Sequence, residues 1–240
     1  LDRVKAMTIL RDEKLYRDSD RAVQLQVVNL AGEVGSSEDL AWLQTLYSEG
    51  EIADQVWPSV TQILQRMEAE KIYAHAVEFE EQGIAVSRLI ELLDVTAKKA
   101  QGEKNRSLEH MALRRKAGLL QKNGDYVQAI EIYKQLIQNT DESQKVHQLR
   151  QGLLVSLLAA GEYGQAAELV ADRLNEGDLN GEDGYVGILE AYFSDPEHSQ
   201  GNKKRLYEAL KTIKANGNRP LWTERLQQWS SYELIEETKS

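Results

Sequence analysis

Apolar residues recur every three or four positions along most of this chain, and clean alternation with a period of two is almost absent. One such stripe is Val56, Val60, Ile63, Leu64 and Met67. This spacing places apolar side chains on one face of an α-helix. With three prolines in 240 residues, little interrupts the pattern. The sequence therefore predicts an all-α fold of roughly a dozen antiparallel helices joined by short connectors.

The breaks between the stripes contain glycine, which can adopt the left-handed conformation that ends a helix. Asn123-Gly124 raises an alternative, because Asn-Gly between apolar runs is also a strong signal for a β-hairpin turn. Helical stripes flank it on both sides. We therefore interpret Asn123-Gly124 as the end of one helix, with Asp125 or Tyr126 starting the next.

Composition limits the classes of partner. A formal net charge of -10 and a pI near 5.1 disfavour general attraction to nucleic acid or to anionic membranes. The one basic stretch, Lys98 to Lys116, is interrupted by Glu103 and Glu109 and fits either a solvated helix face or a site for an acidic partner. The sequence contains no run of about 20 consecutive apolar residues, so a membrane-spanning helix is not predicted. With no cysteine, disulfides and thiolate metal sites are excluded.

Two segments 37 residues apart match each other. The first has Gly124-Asp125-Tyr126 followed by Ala129, and the second has Gly161-Glu162-Tyr163 followed by Ala166. In these segments the chain resembles the tetratricopeptide repeat family over about residues 107–175. The residues that carry the first copy are Leu113, Ala117, Leu120, Gly124, Asp125, Tyr126, Ala129, Ile130 and Tyr133, and those of the second are Leu154, Leu157, Gly161, Tyr163, Ala166 and Ala167.

The flanking regions follow a similar plan. Residues 67–100 and 184–216 resemble degenerate repeats or generic helix hairpins, and residues 1–66 resemble HEAT repeats around Asp20 to Gly35 and a copy near Ala53 to Val56. Trp57-Pro58 departs from the HEAT pattern. These resemblances imply an α-solenoid with a HEAT-like part over 1–66 and a tetratricopeptide-like part over 67–240 that ends in a capping helix, either as two domains or as one continuous solenoid.

The resemblance also implies where a partner would bind. In tetratricopeptide stacks the first helix of each repeat lines the concave surface. Transferring that alignment to this chain gives seven candidate partner-binding residues: Met111, Arg114, Gly118, Gln121, Gln148, Gln151 and Val155. The family's clamp for a C-terminal carboxylate needs lysines and asparagines at such positions. Here only Arg114 and the neighbouring Lys122 are basic, so recognition of a chaperone tail is not expected.

The sequence offers few groups for catalysis or metal binding. His75 and Glu78 lie on adjoining helical turns, but a catalytic metal site needs three protein ligands. Residues 178–190 resemble a calcium loop in which neither register fills the ligand positions, and we expect a turn followed by a helix capped by Asp183. Phosphate-binding loops, nucleophile elbows and zinc-protease motifs are absent from the sequence. No cofactor is expected.

We therefore expect a noncatalytic scaffold or adaptor that binds a protein or peptide segment, in a bacterial assembly. Two alternatives stay open: a metal-dependent or helical enzyme using His75, Glu78 and the 178–190 segment, and a structural spacer in a longer chain. The sequence starts at Leu1 rather than Met, which is consistent with a processed product or a piece of something longer. The compartment would then be cytoplasmic or, for a processed or anchored fragment, periplasmic.

Overall fold

The computed structural model describes residues 12–140, 143–175, 179–213 and 220–234, and these residues form α-helices without a single strand among them. The prediction of an all-α fold is confirmed. The described residues contain thirteen α-helices and two short 3-10 helices, Ser37–Asp39 and Ser230–Leu234. In chain order the α-helices are α1 Glu13–Arg17, α2 Arg21–Val34, α3 Leu40–Glu49, α4 Ala53–Gln65, α5 Ala69–Glu81, α6 Val86–Gly102, α7 Arg106–Lys122, α8 Tyr126–Gln138, α9 Ser143–Ala160, α10 Tyr163–Asn175, α11 Leu179–Ser194, α12 Gln200–Lys211 and α13 Pro220–Trp229.

The chain divides into two compact units between Ala112 and Leu113. This division lies within α7, whereas the sequence resemblances divide the chain at residues 66 and 67. The first unit holds α1 to α6 and the start of α7. The second holds the rest of α7 and α8 to α13.

Glycines in the left-handed conformation lie just beyond the ends of four helices. The backbone φ angles of Gly50, Gly83, Gly124 and Gly161 are 81°, 77°, 81° and 76°. After Gly124, the Asp125 side chain accepts a hydrogen bond from the backbone N–H of Gln128 at 3.3 Å, which caps α8. The interpretation of Asn123-Gly124 as a helix-ending turn is confirmed.

In the first unit, helices contact both the next helix and the next but one. Helix α4 packs against α3 and also against α2, and α5 packs against α6. The core consists of aliphatic and aromatic side chains at the positions that the periodicity selects. Among the most deeply buried are Val27, Leu43, Leu64, Phe79 and Leu92. Burial of each such side chain stabilises the fold by about 1.5 to 3 kcal/mol.

Several polar contacts between next-but-one helices of the first unit share one sequence separation. The Trp57 Nε1–H donates to Glu91 at 2.8 Å, and an Arg88 guanidinium nitrogen lies 3.3 Å from the Asp54 carboxylate. Both pairs join α4 to α6, and the partners in each pair are 34 residues apart.

Two basic side chains bind the carbonyl groups at the end of the next-but-one helix. Arg66, just after α4, donates to the carbonyls of Gly32 at 2.6 Å and Gly35 at 2.8 Å at the end of α2. Lys99 on α6 donates to the Gln65 carbonyl at 3.0 Å and to that of Met67, at the end of α4. The last carbonyls of a helix have no partner within it and carry partial negative charge, so a cation is favourable there.

The second unit uses the same contact pattern. Helix α9 packs against α8, α10 and α11, and α10 packs against α12. Its most deeply buried side chains include Leu136, Leu154, Leu157, Leu189 and Leu206. At its C-terminal end, the Trp229 ring stacks on Phe193 at 4.7 Å and meets the Trp222 ring edge-on at 6.1 Å.

One expectation about the second unit is wrong. Asp183 was expected to cap a helix after a turn, but α11 already starts at Leu179, so Asp183 lies inside it. The stretch between Leu179 and Asp183 contains no proline, and the helix continues through Gly181. Residues 179–190 therefore form helix rather than a calcium-type loop, and residue 178 lies outside the described residues.

Candidate binding surface

Gln121 joins α7 to α9 within the second unit. Its side-chain amide N–H groups donate to the carbonyl of Gly152 at 2.9 Å and to the Ser156 hydroxyl at 2.7 Å. Its carbonyl oxygen accepts from the Tyr133 hydroxyl, on α8, at 3.1 Å. Three helices thus meet at one side chain. Gln121 was predicted to contact a partner, and in the structure its amide already holds the helices together.

Tyr133 occupies the space beside Gly152. A Cβ atom added at Gly152 would lie 2.6 Å from the Cζ atom of the Tyr133 ring, so only glycine fits there. Burial raises the pKa of the Tyr133 hydroxyl above its ordinary value, and the positive charge of Arg114 opposes part of that rise. Arg114 is therefore close enough to act electrostatically on the buried hydroxyl that binds Gln121.

Gln151 on α9 faces α11, the next helix but one. Its amide nitrogen lies 3.0 Å from the His147 Nε2 atom, and the His147 ring is 5.9 Å from the ring of Tyr185 on α11. A Cβ atom at Gly184 would lie 2.2 Å from the Gln151 amide nitrogen. The Gln151 side chain thus bridges α9 and α11, and it is only half-buried.

Four of the predicted residues of the second unit present surface to solvent. Arg114 and Gln148 are exposed, and Val155 is 43% exposed although it is apolar. Gly118 is half-buried, yet a Cβ atom there would meet nothing within 4 Å. Arg114 and Gly118 are four residues apart on α7, and Gln148 and Val155 are seven residues, or about two turns, apart on α9, so each pair lies on one face of its helix. We call this set of Arg114, Gly118, Gln148 and Val155 the open face.

The remaining candidate, Met111, lies on α7 in the first unit. This residue is 48% exposed. Sequence reasoning missed Gly152, Tyr133 and Ser156 as members of the network around Gln121. The available signal was Gly152 itself, a glycine in the middle of an apolar stripe, where a helix is weakened unless another side chain needs the space.

The alternative chemical sites are incomplete in the structure. The His75 Nδ1 atom lies 3.4 Å from the Glu78 carboxylate, and the His75 ring packs 5.9 Å from that of Phe79. Among the described residues, no group of three histidine, aspartate or glutamate side chains could hold a metal ion. Asn105, the first residue of a glycosylation sequon, accepts a hydrogen bond from the Leu108 N–H at 3.1 Å and so caps α7.

The first unit contains a cavity of about 280 Å³ lined by Tyr16, Arg17, Ala41, Trp42, Thr45 and Leu46. The Tyr16 hydroxyl and the Trp42 Nε1–H are buried without a hydrogen-bond partner. Both atoms are out of contact with solvent, so the cavity does not present them to a ligand. The Arg17 guanidinium beside it is paired with Glu49 at 2.5 Å. The charged group beside this cavity is therefore already paired within the fold.

None of the helices in the described part of the chain has the length and apolar character needed to cross a bilayer. Comparison of the chain with protein-family models, curated proteins and solved structures found no match.

Proposed function

We propose that the chain is a noncatalytic scaffold that binds a segment of another protein on stacked helical hairpins, an arrangement known as an α-solenoid. The observation that carries the proposal is the recurrence of a separation of 34 residues between partners on next-but-one helices, as in Trp57 with Glu91 and Asp54 with Arg88. In an α-solenoid each repeat contacts only its neighbours, so contacts are expected to recur at the repeat length. The tetratricopeptide repeat is 34 residues long.

The open face supports the binding part of the proposal. Its residues come from two helices that Gln121 holds side by side, so the surface is preorganised. An exposed valine and an open glycine on such a surface leave room for a partner. Exposed polar groups at Arg114 and Gln148 can fix the partner's orientation.

A pair of exposed valines provides a matched test. Val155 lies on the open face, whereas Val127 lies on α8 and is 70% exposed. We expect Val155→Glu to reduce the capture of a partner from a lysate of the source organism by about tenfold or more, which corresponds to about 1.4 kcal/mol of binding energy. Val127→Glu adds the same charge on α8, which contributes no residue to the open face, and should leave capture unchanged.

The measurement is quantitative mass spectrometry of proteins retained by the immobilised wild-type chain and by each variant, with circular dichroism to establish that the variants fold. Equal capture by both variants would contradict the assignment of the binding surface. Repeated failure of the wild-type chain to retain any protein would count against the scaffold and favour a structural spacer. A stoichiometric metal ion in the purified protein would instead favour the metal-dependent alternative.

A further inference from the structure

The side-chain amide of Asn123 is exposed at the end of α7 and makes no hydrogen bond with the described residues. The residue that follows is Gly124, which is also exposed and has no side chain to shield its backbone nitrogen. Two other asparagines at helix ends are engaged. The Asn105 oxygen caps α7 with a hydrogen bond of 3.1 Å, and the Asn139 amide donates to the carbonyl of Gln135 at 3.0 Å. The Asn123 amide carbon, by contrast, is open to attack.

Local hydrogen bonds hold the backbone nitrogen of Gly124. Its N–H donates to the Gln121 carbonyl at 3.1 Å, and the Asp125 N–H donates to the Leu120 carbonyl at 2.9 Å. Both bonds lie at the junction of α7 and α8. Helix ends fray, and bonds there open at a much smaller cost in free energy than the core does. The Gly124 nitrogen is therefore released from its bond without unfolding of the whole unit.

We propose that Asn123 is a site of spontaneous deamidation that converts it to isoaspartate and aspartate. The Gly124 nitrogen attacks Cγ of Asn123, so that a new C–N bond closes a succinimide ring. The bond from Cγ to Nδ2 breaks, and ammonia leaves with the proton of the Gly124 N–H. One water molecule then opens the ring at either carbonyl. No electrons are gained or lost, and the inference is independent of the proposed binding function.

The two products change the junction of α7 and α8 in different ways. Aspartate adds a carboxylate at the C-terminal end of α7, where the last carbonyls already carry partial negative charge. Isoaspartate also lengthens the main chain by one carbon atom, which displaces Asp125 from the Leu120 carbonyl. Asp125 caps α8 through its bond to the Gln128 N–H. We therefore expect isoaspartate to loosen the start of α8 more than aspartate does.

The test follows the purified chain during incubation in mildly alkaline buffer. Peptide mass spectrometry measures the fraction of Asn123 that has gained the mass difference between asparagine and aspartate. A protein isoaspartyl methyltransferase with a labelled methyl donor measures isoaspartate. A synthetic peptide of residues 119–128 gives the rate without the fold. We expect the rate in the folded chain to lie within about a hundredfold of the rate in the peptide, because a helix end opens readily.

Asn123→Gln keeps the amide but moves it one carbon further from the backbone, so the five-membered ring cannot form. It should remove the isoaspartate signal at this position. Asn139→Gln is the matched control, because Asn139 is also exposed at a helix end and precedes Thr140 rather than glycine. Its signal at Asn123 should equal that of the wild-type chain. Conversion is assigned by peptide position, since the sequence contains two more Asn-Gly pairs, at 180–181 and 216–217.

Hydrogen exchange with mass spectrometry measures the effect on the fold. Amides at the start of α8 should exchange faster in the aged wild-type chain than in fresh Asn123→Asp, which carries the same charge without the extra backbone atom. Equally aged Asn123→Gln should show no such acceleration, which separates this site from conversion elsewhere in the chain.

Three outcomes would overturn the inference. A rate in the folded chain more than about a hundredfold below that of the peptide would mean that the turn closes the site. Conversion to aspartate alone would exclude the succinimide, because direct hydrolysis of the side-chain amide yields no isoaspartate. Isoaspartate without faster exchange at the start of α8 would refute the effect on the junction. None of these results bears on partner capture, which Val155→Glu tests separately.

Discussion

At the residue scale, the same amino acid has different roles according to what surrounds it. Gly124 has a left-handed backbone that a side chain would strain, Gly152 makes room for a tyrosine ring, and Gly118 satisfies neither need. Glutamines differ in the same way, since Gln121 is tied to three groups and Gln148 is exposed. Residue type alone therefore could not separate the residues that build the surface from those that can meet a partner.

Substitutions of Tyr133 and Arg114 test whether stability and partner binding depend on different residues. Tyr133→Ala should lower the free energy of unfolding by about 3 to 5 kcal/mol, because it leaves a cavity between three helices. Tyr133→Phe should cost about 0.5 to 1.5 kcal/mol, because only the hydrogen bond to Gln121 is lost. Arg114→Ala should change the free energy of unfolding by less than about 0.5 kcal/mol and should instead weaken binding of the partner. Urea unfolding measures all three, and a reversed ranking would overturn the assignment.

Tyr192 predicts sensitivity to alkaline pH. Its hydroxyl is 2.8 Å from that of Tyr163, and burial, followed by that hydrogen bond, raises its pKa well above the ordinary value of 10.0. In the unfolded chain the phenol loses its proton near pH 10, while the folded chain retains it. The unfolded state then binds fewer protons, so stability is present in full below pH 10 and falls as the pH rises toward the folded pKa, by up to about 1.4 kcal/mol per pH unit.

The corresponding variant is Tyr192→Phe, measured by urea unfolding between about pH 9 and pH 12. It should reduce the slope of unfolding free energy against pH in the alkaline range. Part of the slope should remain, because burial also raises the pKa of Tyr16 and Tyr133. If Tyr192→Phe and the wild-type chain show the same slope of unfolding free energy against alkaline pH, the pairing of Tyr192 with Tyr163 does not keep the Tyr192 hydroxyl protonated.

At the element scale, contacts at helix ends add to the packing of helix faces in the first unit. Arg66 and Lys99 each cross to the end of the next-but-one helix and bind carbonyls that have no partner within that helix. Arg66 lies one residue beyond the end of α4, and Lys99 lies three residues before the end of α6. A cation at such a position satisfies orphan carbonyls and fixes how far one helix can slide along the other.

Replacing these cations should destabilise the first unit. We expect Arg66→Met and Lys99→Met each to lower the free energy of unfolding by about 1 to 2 kcal/mol, since charged hydrogen bonds to partly buried carbonyls are lost while the aliphatic stem is kept. Lys98→Met is the matched control. Lys98 is exposed, and its substitution removes the same charge one position away from Lys99. The loss of unfolding free energy is measured by urea unfolding. A loss for Lys98→Met equal to or larger than that for Arg66→Met and Lys99→Met would contradict this role for the helix ends.

The elements themselves were predictable, but several of their contacts were not. Apolar spacing and glycine breaks gave α8 and the helices around Gly83, Gly124 and Gly161, because these signals act within one turn of the chain. The start of α11 at Leu179 was missed, since glycines near a helix start lower its propensity without ending it. The bond from Gln121 to Gly152 spans 31 residues, so its existence depends on how helices pack and not on any local pattern.

At the scale of the whole molecule, each unit is a succession of helices in which contacts reach the next helix and the next but one. If the proposed repeat arrangement holds, the stability of each unit is a sum of local terms rather than the property of one central core. A packing defect in one hairpin should then loosen its neighbours first. A single cooperative core would instead transmit the defect to every amide of the unit.

Leu43→Ala distinguishes these two behaviours in the first unit. Leu43 is fully buried on α3, and its truncation should cost about 2 to 5 kcal/mol. Measured by hydrogen exchange with mass spectrometry, amides of α2, α3 and α4 should exchange faster, because α3 packs mainly against α4, which in turn packs against α2. Those of α6 should keep most of their protection. Equal acceleration in α2 and α6 would mean that the unit opens as one body, and would count directly against a stack of repeats.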